Sequence, residues 1–234
     1  DIIGDVHGEI GALGSLLARL GYDGNGKHPE GRKLIFVGDL VDRGPDSLAV
    51  YSLVKHFINK GNAKCVLGNH ELNLLIPNPS NSPNDPTPKM KNGNHWFHSL
   101  PEAMIDDDDS IQFQRLATQE NRTEIQEFLH SLPLVLENEH FRIVHACWDE
   151  TSINRLRGDN RRVYDIYKEY YLKYLAKKAT YPDEIHQEFH KQNDNPIKVI
   201  SSGLEQFLAK EESPYRAGKK WRYLKRVPWW KNYQ

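Results

Sequence analysis

Two aspartates and an arginine close the stretch IFVGDLVDRG, residues 35–44, directly behind a run of apolar residues. A carboxylate at the edge of an apolar core is costly unless it is paired, hydrogen-bonded or bound to a cation. Three other stretches end the same way. DIIGDVHG runs from Ile2 and Ile3 into Asp5 and His7, AKCVLGNHE runs into Asn69, His70 and Glu71, and FRIVHACWDE runs into His145. Aspartate, asparagine and histidine offer oxygen and nitrogen donors without thiolate, a set suited to manganese, iron or zinc. We expect two divalent metal ions, with Mn2+ the first choice and Fe or Zn the alternatives. Asp5, His7 and Asp39 could hold one ion, and Asp39, Asn69 and His145 the other. A bridging Asp39 would keep them the roughly 3.5–4 Å apart that two-metal catalysis uses.

The remaining polar residues of these stretches have roles to offer. Two divalent cations against Asp5 and Asp39 leave a positive centre, open to an anionic substrate. Arg43 can give phosphate oxygens a planar, two-pronged contact. A histidine beside a metal ligand, His70, can protonate a leaving alkoxide when its ring is held in orientation. Asp42, bonded to the other ring nitrogen, would orient it and raise its pKa.

These side chains need a common edge. Strands of one α/β sheet bring their carboxyl ends together, and ligands bind there. Between the first two stretches, EIGALGSLLARLGYD carries Leu13, Leu16, Leu17 and Leu20 at helical spacing. After the second, PDSLAVYSLVKHFINKG is again periodic and closed by Gly61. The pattern predicts a β-α-β-α-β order and a largely parallel, buried sheet. The glycines before the polar residues are expected to make the sharp turns that aim the next side chain over the sheet edge.

GDVHG, GDLVDRG and GNHE, in this order, resemble the calcineurin-like metallophosphoesterases, and most the branch of the phosphoprotein phosphatases and bacterial symmetrical dinucleoside tetraphosphatases. VHACWD extends the resemblance to about residue 150. It implies an α/β fold, an αββα sandwich, with the metal ligands assigned above. It also implies attack by a metal-bound hydroxide on phosphorus without a phosphoenzyme, His70 as general acid with Asp42 behind it, and Arg43 as phosphate clamp. The family's late Gly-His pair has no counterpart, since the sequence contains no Gly-His dipeptide. We read the given sequence as ending early or omitting residues; the alternative is a degenerate second metal site. His186 and His190, four apart in EIHQEFHKQ, could substitute, though a solvated helix explains them. Arg155 and Arg157 could bind phosphate, with surface solvation as the plainer account.

Residues 77 to about 110, rich in proline, asparagine and serine, predict a long loop following GNHE. We expect one metallophosphoesterase domain over residues 1–234, with 77–130 an inserted loop or helical cap. His95, Trp96 and His98 could touch substrate there, or simply pack. Asp106 to Asp109 lack the alternating spacing of a calcium loop and read as a helix start. The tyrosines of YDIYKEYYLKYLAKKA are expected to pack on the sheet, NPIKVISSGLEQFL to give a strand and then a short helix, and KKWRYLKRVPWW a β-hairpin.

The 234 residues are 38% hydrophobic and 27% charged with net charge −1, as expected of a soluble globular chain without electrostatic pull toward nucleic acid or an anionic membrane. No apolar run approaches the ~20 residues of a membrane helix. Cys65 and Cys147 are too few for a disulfide framework and suit a reducing compartment; Cys147 reads as a small core residue. The chain begins inside a strand without methionine, so residues before Asp1 are expected to be missing, and the cytoplasm is the expected location. The expected reaction is hydrolysis of a phosphate monoester or anhydride, and the expected partner a phosphorylated substrate, phosphoprotein or nucleotide. Nothing in the sequence sets an oligomeric state. The rival is a non-catalytic scaffold pinned by one structural metal, which would have no use for His70, Asp42 or Arg43.

Overall fold

A computed structural model of the protein describes residues 1–76, 93–98, 114–217 and 220–232. They divide into two compact units, Asp1–Leu136 and Glu137–Gln234. No helix among the described residues is long and apolar enough to cross a membrane.

In the first unit, β1 (Ile2–Ile3), β2 (Leu34–Phe36) and β3 (Ala63–Cys65) form a parallel sheet in that order. Ile3 lies opposite Phe36, and Phe36 opposite Cys65. Parallel neighbours need a long crossover, and α1 (Ile10–Leu20) and α2 (Ser47–Asn59) supply the two required here. Of the four leucines aligned on α1, Leu13 and Leu17 are buried, while Leu16 stays 41% exposed. The buried stripe is therefore a single i, i+4 pair. Helix α2 starts where the Asp46 carboxylate accepts the Ala49 N–H at 2.9 Å. It ends as expected, with Gly61 in the left-handed region (φ 70°) donating to the Ile58 carbonyl at 2.9 Å. The short helices α3 (Asn69–Leu75) and α4 (His95–His98) follow, then α5 (Gln119–Ser131) and β4 (Val135–Glu137). Leu34, Phe36 and Phe57, with Leu74 of α3 and Ile125 and Leu129 of α5, form the fully buried centre of this unit.

The strand of the fourth motif, β5 (Arg142–Val144), lies in the second unit, after a tight loop in which Asn138 N–H reaches the Phe141 carbonyl at 3.0 Å. It is not a strand of the β1–β2–β3 sheet. The four-strand edge expected from the sequence is a three-strand edge among the described residues.

In the second unit, α6 (Glu150–Leu156), α7 (Val163–Lys177) and α8 (Glu184–Asn193) pack on α9 (Pro196–Ser202). The sequence predicted a strand where α9 lies. Pro196 in the first turn and the Asn195 side chain, accepting the Ile197 N–H at 3.1 Å, start a helix instead. Its Ile197, Val199 and Ile200 are core because helices surround them. A strand, β6 (Glu205–Phe207), then replaces the predicted short helix and pairs antiparallel with β9 (Leu224–Arg226). Between them β7 (Tyr215–Ala217) and β8 (Lys220–Arg222) form a hairpin, so the two strands within KKWRYLKRVPWW, β8 and β9, pair with β7 and β6 and not with each other as the sequence predicted. The tyrosines of α7 do not seek a sheet within their unit. Tyr167, Tyr171, Tyr174 and Tyr181 follow one another at about 6 Å between ring centres, ending on His190 at 4.1 Å. Helices α8 and α9 pack against α7.

Most of the predicted insertion, 77–92 and 99–113, lies outside the described residues, and Asp106 to Asp109 with it.

Candidate active site

Four site residues occupy backbone conformations that side chains other than glycine avoid. His7, Asp39, Asp42 and Arg43 have φ of 48°, 50°, 73° and 67°. Left-handed geometry at a non-glycine residue costs on the order of 1–3 kcal/mol and persists only where its surroundings enforce it. The sequence reading placed this burden on the preceding glycines. Gly38 does take φ 94°, but Gly68 sits at −90°. Gly68 is needed for proximity: a Cβ there would collide with the backbone nitrogen and carboxylate of Asp39, and one on Gly38 would lie 2.5 Å from Gly68 N.

The enforcement is backbone hydrogen bonding between the motifs. The Asp39 carbonyl accepts from Val6 and His7 N–H, both at 2.9 Å. Gly8 N–H reaches the Leu40 carbonyl at 2.8 Å, and Gly44 N–H the His7 carbonyl at 2.8 Å. Glu71, to which the sequence reading gave no role, ties in the third motif. Its fully buried carboxylate accepts from Asp39 N–H at 2.7 Å, Leu40 N–H at 2.8 Å and Gly68 N–H at 3.1 Å. Burial first, then the Asp39 charge, push Glu71 up to about 7, against the pull of those N–H groups. The signal was present in the sequence: a glutamate three residues after a helix-starting position is half of a capping box.

The side chains converge accordingly. His7 Nε2 lies 3.9 Å from Asp5 Oδ2 and 3.9 Å from Asp39 Oδ2. Its Nδ1 faces the Val41 carbonyl at 3.0 Å, so that nitrogen carries the proton and Nε2 presents its lone pair to the carboxylates. Burial lowers the His7 pKa and so favours the neutral ring. Donor atoms 3.9 Å apart are too distant to bond each other, yet both can reach an ion at the ~2.0–2.2 Å of metal–ligand bonds. These residues fit a divalent metal.

His70 Nδ1 lies 2.7 Å from Asp42 Oδ2, both residues being buried. Burial alone would lower the His70 pKa; the Asp42 hydrogen bond and charge, with Asp39 and Glu71 beyond, outweigh it and raise it. His70 Nε2 lies 3.9 Å from Asp39 Oδ2, and His7, Asp39 and His70 together offer three ligand atoms within 4.8 Å of one another. The His70 backbone N–H also donates to Asp39 Oδ1 at 2.9 Å.

Of the residues singled out from the sequence, Asp5, His7, Asp39, Asp42 and His70 thus meet in the first unit. Asn69 opens α3 beside them and is half-buried, and Arg43 is exposed on the Asp42 turn. His145 follows β5 in the second unit and is half-buried. The bland readings hold for several others. His186 and His190 each turn Nδ1 to a neighbouring carboxylate, Asp183 at 2.8 Å and Asp194 at 3.1 Å. Arg155 and Arg157 are exposed, and Arg157 pairs with Glu137 at 3.0 Å. Cys147 is buried core, and burial raises its thiol pKa. His95 and Trp96 are fully buried, which removes them from substrate in this structure.

The family description that matches residues 1–203 reads calcineurin-like phosphoesterase. The chain belongs to this family. Two curated proteins similar to this calcineurin-like phosphoesterase are both called bis(5'-nucleosyl)-tetraphosphatase PrpE (asymmetrical). That of Halalkalibacterium halodurans is 55% identical over 73 residues, 30% of each chain, and that of Bacillus subtilis strain 168 is 45% identical over 73 residues, again 30% of each. The chain therefore spans about 30% of the length of these relatives. Their names specify asymmetrical cleavage, where the sequence resemblance pointed to the symmetrical branch. Among solved structures, the cold-active protein-tyrosine phosphatase of a Shewanella species is 18% identical, with a TM-score of 0.44 over 84% of this chain and 55% of that one.

Proposed function

We propose that this phosphoesterase is a dinuclear-metal phosphohydrolase cleaving a phosphate anhydride or monoester, with dinucleoside polyphosphates the first substrate class and phosphoproteins the second. The observation that carries the reading is the convergence of His7, Asp39 and His70 ligand atoms within 4.8 Å, with His7 and Asp39 both held in left-handed backbone conformations. The PrpE names of the relatives favour the nucleotide class. The single domain over 1–234, with its αββα sandwich and the 77–130 insertion, belongs to the same proposal.

Asp5, His7 and Asp39 would hold one ion; Asp39, Asn69 and His145 would hold the second. Bound divalent ions, with manganese the first choice, would polarise the phosphoryl group and supply a nucleophilic water at neutral pH. The chain's own groups do the rest. Arg43, exposed beyond Asp42, takes phosphate oxygens in its guanidinium fork. Asp42 holds the His70 ring through Nδ1, leaving Nε2 to give its proton to the oxygen that departs as the P–O bond breaks.

A second reading has an observation of its own. His70 Nε2 belongs to the same ligand cluster, and a carboxylate on Nδ1 equally suits a metal-bound histidine. The scaffold alternative, with one structural metal, stands behind both. The deciding experiment measures phosphate release from diadenosine tetraphosphate and from a phosphopeptide, with manganese and with chelator, beside Asp39→Asn. Metal-dependent turnover lost in the variant supports the enzyme and selects its substrate class. No turnover of either by metal-loaded protein overturns the reading in favour of the scaffold.

A further inference from the structure

We infer that Trp96 is a positioning residue for the general acid: its indole N–H fixes the Asp42 carboxylate, and through it the His70 ring. The inference rests on the proposed role of His70 as the proton donor.

Trp96 lies in the short helix α4, within the segment expected to be inserted after the third motif. It is the largest fully buried side chain in the first unit, and its Nε1–H donates to Asp42 Oδ1 at 2.8 Å. Asp42 Oδ2 is the oxygen facing His70 Nδ1, at 2.7 Å. The two oxygens are thus divided between two donors, and the plane of the carboxylate is set by both. With His70 alone as partner, the carboxylate could rotate about its last bond and the imidazole could follow. With Trp96 in place, rotation breaks a buried hydrogen bond whichever way it goes.

The surroundings make the indole a firm anchor. The Trp96 carbonyl accepts from Ala117 N–H at 2.8 Å, and Arg122 Nη1 reaches the Phe97 carbonyl at 3.3 Å and the Ala117 carbonyl at 3.0 Å. The Phe97 ring stands edge-on to Trp96 at 5.5 Å. A second contact braces the same turn from its backbone side. Asp42 N–H donates to Ser47 Oγ at 2.8 Å, and Ser47 N–H to Gln114 Oε1 at 2.7 Å. Asp42 is therefore held at its backbone and at both carboxylate oxygens, in a left-handed conformation it would otherwise leave. A buried tryptophan usually finds a partner for its N–H. This one goes to the carboxylate that orients the proton donor.

The test uses the leaving group. A proton donor matters most when the departing oxygen is a poor leaving group and least when it leaves readily as an anion. In the full-length protein at saturating manganese, kcat and KM are measured for a series of aryl phosphates from phenyl to 2,4-dinitrophenyl, with wild type, Trp96→Phe and His70→Asn. Trp96→Phe keeps a ring of similar character and removes the N–H. It is expected to lower kcat for phenyl phosphate about tenfold, the lower end of what losing an orienting partner costs. The dinitrophenyl ester should change little, and KM should hold for both. Replacing the indole with benzothiophene by site-specific incorporation keeps the bicyclic shape and gives the same readout where phenylalanine does not fold.

Equal loss across the series, or a change in KM alone, makes Trp96 a packing residue and overturns the inference. Leaving-group dependence in His70→Asn but not in Trp96→Phe also overturns it, while leaving the proton-donor role standing. No such dependence in His70→Asn overturns that role and the positioning inference together.

Discussion

At the scale of single residues, His70 and Glu71 are neighbours with opposite duties. His70 turns a reactive nitrogen toward the metal-ligand cluster, while Glu71 turns away and ties three buried N–H groups from two motifs. His70→Asn is expected to lower kcat by about 10²–10⁴-fold, the range for loss of a general acid, with bound metal unchanged by elemental analysis. Loss of about one metal equivalent instead would make His70 a ligand. Glu71→Ala leaves three buried donors without their acceptor, at about 1–3 kcal/mol each. Unfolding in urea should show a loss of at least about 3 kcal/mol, and a loss below 1 kcal/mol would mean that water replaces the carboxylate. Most site residues were legible one at a time, because a charged side chain behind an apolar run needs an explanation. For Glu71 the capping-box spacing marks only its bond to Gly68 N–H; the bonds to Asp39 and Leu40 N–H join positions 32 and 31 residues apart, which no local pattern shows.

At the scale of elements, the legible parts are those specified by adjacent residues. Strands β1 to β3 and the capped ends of α2 each follow from an apolar run and the turn chemistry beside it. Two contrasting substitutions test how far such patterns carry energy. Phe36→Ala empties a fully buried position of β2 and should cost about 3–5 kcal/mol. Leu16→Ala, on the exposed side of α1, should stay within about 0.5 kcal/mol although it belongs to the same apparent leucine stripe. Equal losses in chemical denaturation would contradict the packing described for α1. Helix α9 was misread because Ile197, Val199 and Ile200 look like a strand, while the deciding facts are a proline and an asparagine at its start and three helices around it. The contact between Trp96 and Asp42 joins positions 54 residues apart, and no local period foretells it.

At the scale of the whole molecule, binding of metal should register as stability, independently of turnover. A ligand that binds only the folded protein, at a hundred times its dissociation constant, adds about 2.7 kcal/mol. Manganese should therefore raise the midpoint of thermal unfolding, chelator should reverse the rise, and Asp39→Asn should abolish it. No manganese-dependent shift at saturating concentration would argue against the assigned ligands. The left-handed turns at His7, Asp39, Asp42 and Arg43 carry a consequence for anyone who engineers this protein. Glycine at any of these four positions would relax the backbone, so a library screened for heat resistance alone would be drawn toward it. Such a selection would harden the fold by discarding its reactive groups first, and survivors of heating would need to be screened for turnover in the same round.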